Sequence, residues 1–208
     1  QLKKCENPDL PFGDWYEYLS EELLNCPFDE IGNNKLGIIT YNFDRSLEFF
    51  LQRAVVHSYG KSDLEAALAV KQIPIIHLHG SFGPLPGFSP STTVPFSIRT
   101  QTSVLKECAE KLKIILESAQ PKDKEFEQAG EMLAGGERIG FLGFGYGELN
   151  LKRLFEAAPE LLRKQSWGTC FGFRAGEKVR VESLFSGKIT LKEMGCLDLL
   201  RETGILFS

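Results

Sequence analysis

The sequence predicts an α/β domain: a parallel sheet with helices packed on both of its faces. Three observations carry the prediction. Short apolar runs of strand character alternate with segments of helical periodicity. The runs at residues 36–40 and 73–78 end in polar cassettes, Thr40-Tyr41-Asn42-Phe43-Asp44 and Leu78-His79-Gly80-Ser81. A third run, at residues 139–143, opens into the alternating glycines of Gly143-Phe144-Gly145-Tyr146-Gly147. In open parallel sheets ligands bind in the crevice outside the carboxyl ends of the strands, so polar side chains placed there mark a site.

The elements follow in order. Aromatic and acidic residues alternate at helical spacing over residues 14–26, and Gly32-Asn33-Asn34 is a turn. After the first strand, Asp44 can cap a helix running to about His57, with Leu47, Phe50, Leu51, Ala54 and Val55 on its inner face. A weaker helix covers residues 62–70. Residues 83–95, rich in Gly, Pro, Ser and Thr, read as a surface loop and a candidate lid. Residues 102–118 read as helix, with a strand at 112–116 as the alternative. A helix at 124–133 stops at Gly135-Gly136. Beyond the third strand come helices at 149–155 and from Pro159 to Lys164, and a fourth strand at 169–173. A helix through Val179 and Leu184, a short strand at 189–191 and a closing helix at 196–202 complete the chain.

Composition narrows the function. At 208 residues the chain can bury one substantial core, and 42% hydrophobic with 25% charged residues is ordinary for a globular protein. A net charge of −4 supplies no basic footprint, so nucleic acid is disfavoured as the main partner. A dinucleotide remains open, because helix N-termini and main-chain amides hold phosphates without a basic surface. No apolar run reaches the roughly 18 residues of a membrane span, and the first residues lack the apolar core of a signal peptide. The five cysteines are scattered and never in a Cys-x-x-Cys pair, which argues against structural zinc and a disulfide framework and favours the cytoplasm. The chain begins without Met in polar sequence and reads as a fragment.

Each singled-out residue has a bland reading beside the functional one. Asn tolerates turns and Asp is a good N-cap, and for Asp44 alone the cap is the better account. Asn42, an amide at a strand end beside aromatic residues, is better explained by ligand orientation. Gly80 behind His79 lets the chain turn sharply and leaves that imidazole open to the cleft as a general base. His77, on the same face in a strict strand, is then the structural histidine. The glycines after the third strand suit close approach to a ribose or phosphate, but a tight turn explains them equally well. No Gly-x-Ser-x-Gly elbow supports a serine nucleophile, and three histidines without flanking carboxylates make a poor metal site.

Taken together, the three motifs resemble those of the sirtuin-like NAD-binding domains. Thr40-Tyr41-Asn42-Phe43-Asp44 is similar to the family's Thr-x-Asn-x-Asp, and Leu78-His79-Gly80-Ser81 to the strand end that carries its catalytic histidine. Phe141 to Asn150 resembles the later glycine-rich turn. Order and separation agree over roughly residues 36–175. The resemblance implies a Rossmann-like single domain over residues 1–208, with residues 84–135 as a loop and helical insertion. It implies NAD as substrate, with Asn42 and His79 as the catalytic pair. Asn42 would position a water or the nicotinamide ribose, and His79 would act as base. Asp44 would bind on the nicotinamide side; Gly143, Gly145 and Tyr146 would line the adenosine ribose and phosphates. Thr40, Tyr41 and Gly80 complete the cofactor-binding set.

Two departures refine the expectation. Residues 84–135 hold only Cys108, so the four-cysteine zinc module of the family's protein deacylases is missing and no metal is expected. That feature belongs to the NAD-hydrolysing branch, many of whose members serve in bacterial antiphage defence. The family's opening strand and Gly-Ala-Gly-type diphosphate loop are also missing: they lie upstream of Gln1 or have been lost. The leading expectation is an NAD glycohydrolase releasing nicotinamide and ADP-ribose. The alternatives are a non-catalytic NAD or ADP-ribose sensor or assembly module and, third, a zinc-free deacylase. Assembly into a homo-oligomer is left open by the sequence.

Overall fold

A computed structural model of the chain describes residues 15–88 and 124–206. The helix expected at 102–118, most of the candidate lid, Cys5 and Cys108 lie outside the described residues. The first half runs α1 (Trp15–Leu23), a 3-10 helix (Phe28–Asn33), β1 (Ile38–Thr40), α2 (Ser46–Tyr59), α3 (Asp63–Val70) and β2 (Ile75–His77). The second runs α4 (Lys124–Gly135), β3 (Ile139–Phe141), α5 (Glu148–Ala157), a 3-10 helix (Pro159–Arg163), β4 (Ser166–Thr169), α6 (Ala175–Leu184), β5 (Ile189–Lys192) and α7 (Cys196–Thr203). The α/β class is as the alternating pattern predicts, and every described strand pair is parallel.

The sheet is divided where the sequence predicts one. β1 pairs with β2, and β3-β4-β5 form a separate sheet, with no ladder between them among the described residues. Side chains bridge the division instead: the rings of Tyr41, beyond β1, and Phe144, beyond β3, lie 4.9 Å apart.

Strand alternation delivers side chains to both faces of the first sheet. Ile38 and Ile75 pack on the α1–α2–α3 core of Leu19, Leu23, Leu51, Val55 and Val70. Their neighbours Ile39 and Ile76 pack on Leu78 with Phe126 and Ala129 of α4. In the second sheet Ile139 and Ile189 flank Ser166, and Phe141 and Leu191 flank Gly168, in register. These rows meet Leu151 and Leu154 of α5 and Val181 and Phe185 around α6. On the opposite face Ile205 occupies the space beside Gly140, with its Cδ1 only 2.9 Å from where a β-carbon would be.

The fourth strand is displaced from its expected position at 169–173. Phe171, which suggested a buried run, is 79% exposed, and the chain turns at Gly172 with φ +76°. The real strand, Ser166-Trp167-Gly168-Thr169, is central and buried but poor in large apolar side chains. At Gly168 no side chain fits, because the phenol of Tyr146 fills that space. Helix ends follow local chemistry. Ser62 and Glu65 close a reciprocal capping box on α3, and Lys164 Nζ donates to the carbonyls of Leu133 (2.9 Å), Ala134 and Gly136 (2.7 Å) at the end of α4. No helix among the described residues is long and apolar enough to cross a membrane.

Candidate active site

Thr40 pairs with His77, so β1 and β2 end level with each other. Beyond Thr40 the chain leaves the sheet and is pinned at once. The Asn42 N–H donates to Thr40 Oγ1 at 3.0 Å, and the Asn42 carbonyl accepts from His77 Nδ1 at 2.7 Å. The main chain of Asn42 is thereby fixed on both sides while the residue stays exposed. Asp44 Oδ1 accepts from the Ser46 amide at 2.9 Å and from the Ser46 hydroxyl, which lies 3.2 Å from the Tyr16 phenol. Asp44 thus ties down the turn before α2, but the N-cap is Arg45, without a side-chain capping bond, so Asp44 is not the cap the sequence suggests. Arg45, only 6% exposed, donates through Nη1 to the carbonyls of Gly83 (3.0 Å) and Pro84 (3.4 Å). That tie joins the segments leaving β1 and β2.

β2 stops at His77, and the turn through Leu78 and His79 is completed by Gly80 at φ +77°, a conformation that favours glycine. The two imidazoles diverge, as a strand ending there requires, but their surroundings differ from the expectation. His79 is 8% exposed, with its ring 5.5 Å from that of Tyr41 and 6.3 Å from that of Phe126. The turn begins one residue before His79 and carries its ring among these aromatics rather than outward. His77 holds the polar position instead. Besides its bond to the Asn42 carbonyl, Nε2 lies 2.7 Å from Glu48 Oε1 of α2, and both side chains are largely buried. Burial alone would pull the His77 pKa down, but the Glu48 hydrogen bond and charge, the Asn42 carbonyl and Asp44 outweigh it and raise it.

The third motif reaches the same place. Gly143 adopts φ +60° and donates its N–H to Thr169 Oγ1 at 2.8 Å. Phe144 stacks on Tyr41, whose hydroxyl donates to the Asn150 carbonyl in α5 at 3.4 Å. Burial pushes the Tyr41 hydroxyl pKa up, with Arg153 partly offsetting it. Gly145 is exposed, with no atom within 4 Å of where its β-carbon would be. A phosphate can therefore approach that main chain closely.

Tyr146 corrects the expectation that it lines a ligand. It is 0% exposed, packed among Phe141, Phe144, Phe173 and Phe185. Its positive φ of 49° turns the side chain into the core rather than toward the strand ends. The hydroxyl has no hydrogen-bond partner among the described residues.

A hollow of about 390 Å³ runs along the outer edge of β2, with His77, Gly80, Ser81, Glu125 and Gln128 in its walls. Neither Asn42 nor His79 lines it. Among the described residues no group of His, Cys, Asp or Glu is arranged to hold a metal ion. The structure therefore gathers Thr40, Tyr41, Asn42, Asp44, His79, Gly80 and Gly143 about the ends of β1, β2 and β3, with Tyr41 in contact with both other motifs. Sequence reasoning missed Glu48 and Arg45. For Glu48 the signal was present: a carboxylate inside the apolar stripe of Leu47, Leu51 and Val55. Comparison of the chain with protein-family models, with curated proteins and with solved structures finds no match.

Proposed function

We propose that this protein hydrolyses the bond between nicotinamide and ribose in NAD, acting in the cytoplasm. One observation supports the reading above the others: the ends of three strands, spread over some 100 residues of sequence, converge on the ring of Tyr41, which touches both His79 and Phe144. Strand ends are where parallel α/β folds bind nucleotides, and the residues gathered here are those of the sirtuin-like motifs. In the reaction a water adds its oxygen to C1′ of the ribose while the glycosidic bond breaks. The bonding pair leaves with nicotinamide and neutralises its ring, and the proton of the water is released. The exposed Asn42 carboxamide orients the water or the ribose hydroxyls. His79 takes the proton, and oriented dipoles at the strand ends stabilise the oxocarbenium character of the transition state. The resemblance extends the proposal to antiphage defence.

The low exposure of His79 favours a second reading, a module that binds NAD or ADP-ribose without turnover. Incubation with NAD and quantitation of nicotinamide, beside calorimetry with ADP-ribose, separates the two. Nicotinamide release lost in Asn42→Ala supports hydrolysis. ADP-ribose binding without release supports the sensor. Neither release nor binding removes both.

A further inference from the structure

We propose that His77 and Glu48 form a positioning pair, sharing one proton, that clamps the main chain of Asn42 at the strand-end site. The catalytic consequence rests on the reading above; the clamp itself does not.

His77 Nδ1 lies 2.7 Å from a carbonyl oxygen, which only accepts, so Nδ1 carries a hydrogen. Nε2 lies 2.7 Å from Glu48 Oε1, and a bond of that length needs a hydrogen between them. Either the imidazole is doubly protonated beside a carboxylate, or a neutral imidazole accepts from a carboxylic acid. Both states hold one proton more than a neutral histidine with an ionised glutamate. Removing that proton sets a lone pair against a carboxylate oxygen in a site where the two side chains are 12% and 15% exposed. The one hydrogen left on the ring relieves this by moving to Nε2, facing the carboxylate, and the Asn42 carbonyl loses its donor. Glu48 Oε2 is buried with no hydrogen-bond partner among the described residues, so the carboxyl group has no alternative anchor there.

The surroundings set the direction. Among the described residues, the titratable and charged groups facing His77 are Glu48 of α2, Asp44 in the turn before it, and Glu125 of α4 across the hollow along β2. Tyr16 lies beyond Ser46, and Arg45 reaches the Gly83 carbonyl in the wall of the same hollow. The nearest of these are acidic and hold the shared proton to higher pH than a free imidazole would. The clamp therefore closes below the His77 midpoint and opens above it.

Nitrogen-15 spectra of the imidazoles in the full chain test the clamp directly. The expected result is a His77 Nδ1–H bonded to the Asn42 carbonyl below a midpoint that lies above the ordinary value of about 6.5, and loss of that bond above the midpoint. An Nδ1–H bond that survives the whole titration, or a midpoint at or below that value, overturns the proposal whether or not NAD is hydrolysed. If it is, nicotinamide release across pH adds a second arm. Glu48→Ala should lower kcat about tenfold or more while KM moves less than about threefold, the signature of lost orientation. Glu48→Gln brings an amide donor for the Nε2 lone pair, so it should retain more turnover than Glu48→Ala and lose the alkaline fall in rate. Equal rates and unchanged pH profiles in the two variants also overturn it.

Discussion

The phenol of Tyr146 occupies the space that a β-carbon on Gly168 would need. Gly168 sits in the middle of β4, paired with Phe141 on one side and Leu191 on the other, where a side chain would ordinarily strengthen the strand. Here its absence is what lets the aromatic core beneath the third motif close.

Gly168→Ala should therefore destabilise the protein by about 1–3 kcal/mol through overpacking. Tyr146→Phe should be neutral or stabilising, since it removes a buried hydroxyl that has no partner among the described residues, at a cost of about 1–3 kcal/mol. Combined, the two should cost less than their sum, because the hydroxyl is the nearest obstruction. Urea unfolding of the four proteins measures the coupling, and strict additivity would contradict the packing described.

Asn42→Ala should abolish NAD hydrolysis by about 10²–10⁴-fold, the usual range for an orienting or proton-handling group. The thermal midpoint should hardly change, because Asn42 is exposed and its structural bonds are made by its main chain. A large drop in midpoint would reassign the residue to the scaffold.

The raised His77 pKa predicts a pH-dependent stability. A group that binds its proton more tightly when folded contributes stability fully below its unfolded pKa, about 6.5, and loses it as pH rises through the raised folded value. Stability in urea should thus decline on the alkaline side of about pH 6.5, and His77→Gln should flatten the decline. A wild-type curve that rises over that range would have the wrong sign.

Lys164→Met should cost about 1–2 kcal/mol. The ammonium satisfies three carbonyls at the end of α4 and sits favourably at the negative end of that helix. Hydrogen exchange should show the loss concentrated in the last turn of α4; uniform change across the chain would argue for a global effect instead.

How much was legible in the sequence follows from how local each signal was. The ends of β1, β2 and β3 were readable because an apolar run gives way to polar or glycine residues within a few positions. The fourth strand was not, because Gly168 answers to a tyrosine some twenty residues earlier, and the exposed Phe171 gave the stronger local signal. The histidines show the same limit. Strand alternation separates His77 from His79, but which ring meets a carboxylate depends on Glu48 from another element, and which meets aromatic rings depends on Tyr41 and Phe126. The division of the sheet had no local mark at all.

That division makes the site a seam. Two sheets that share no main-chain ladder among the described residues meet there through aromatic faces and one tyrosine hydroxyl. A molecule lodged across it would brace both sheets at once. Its arrival should then be felt mechanically, as a gain in the resistance of both sheets to unfolding.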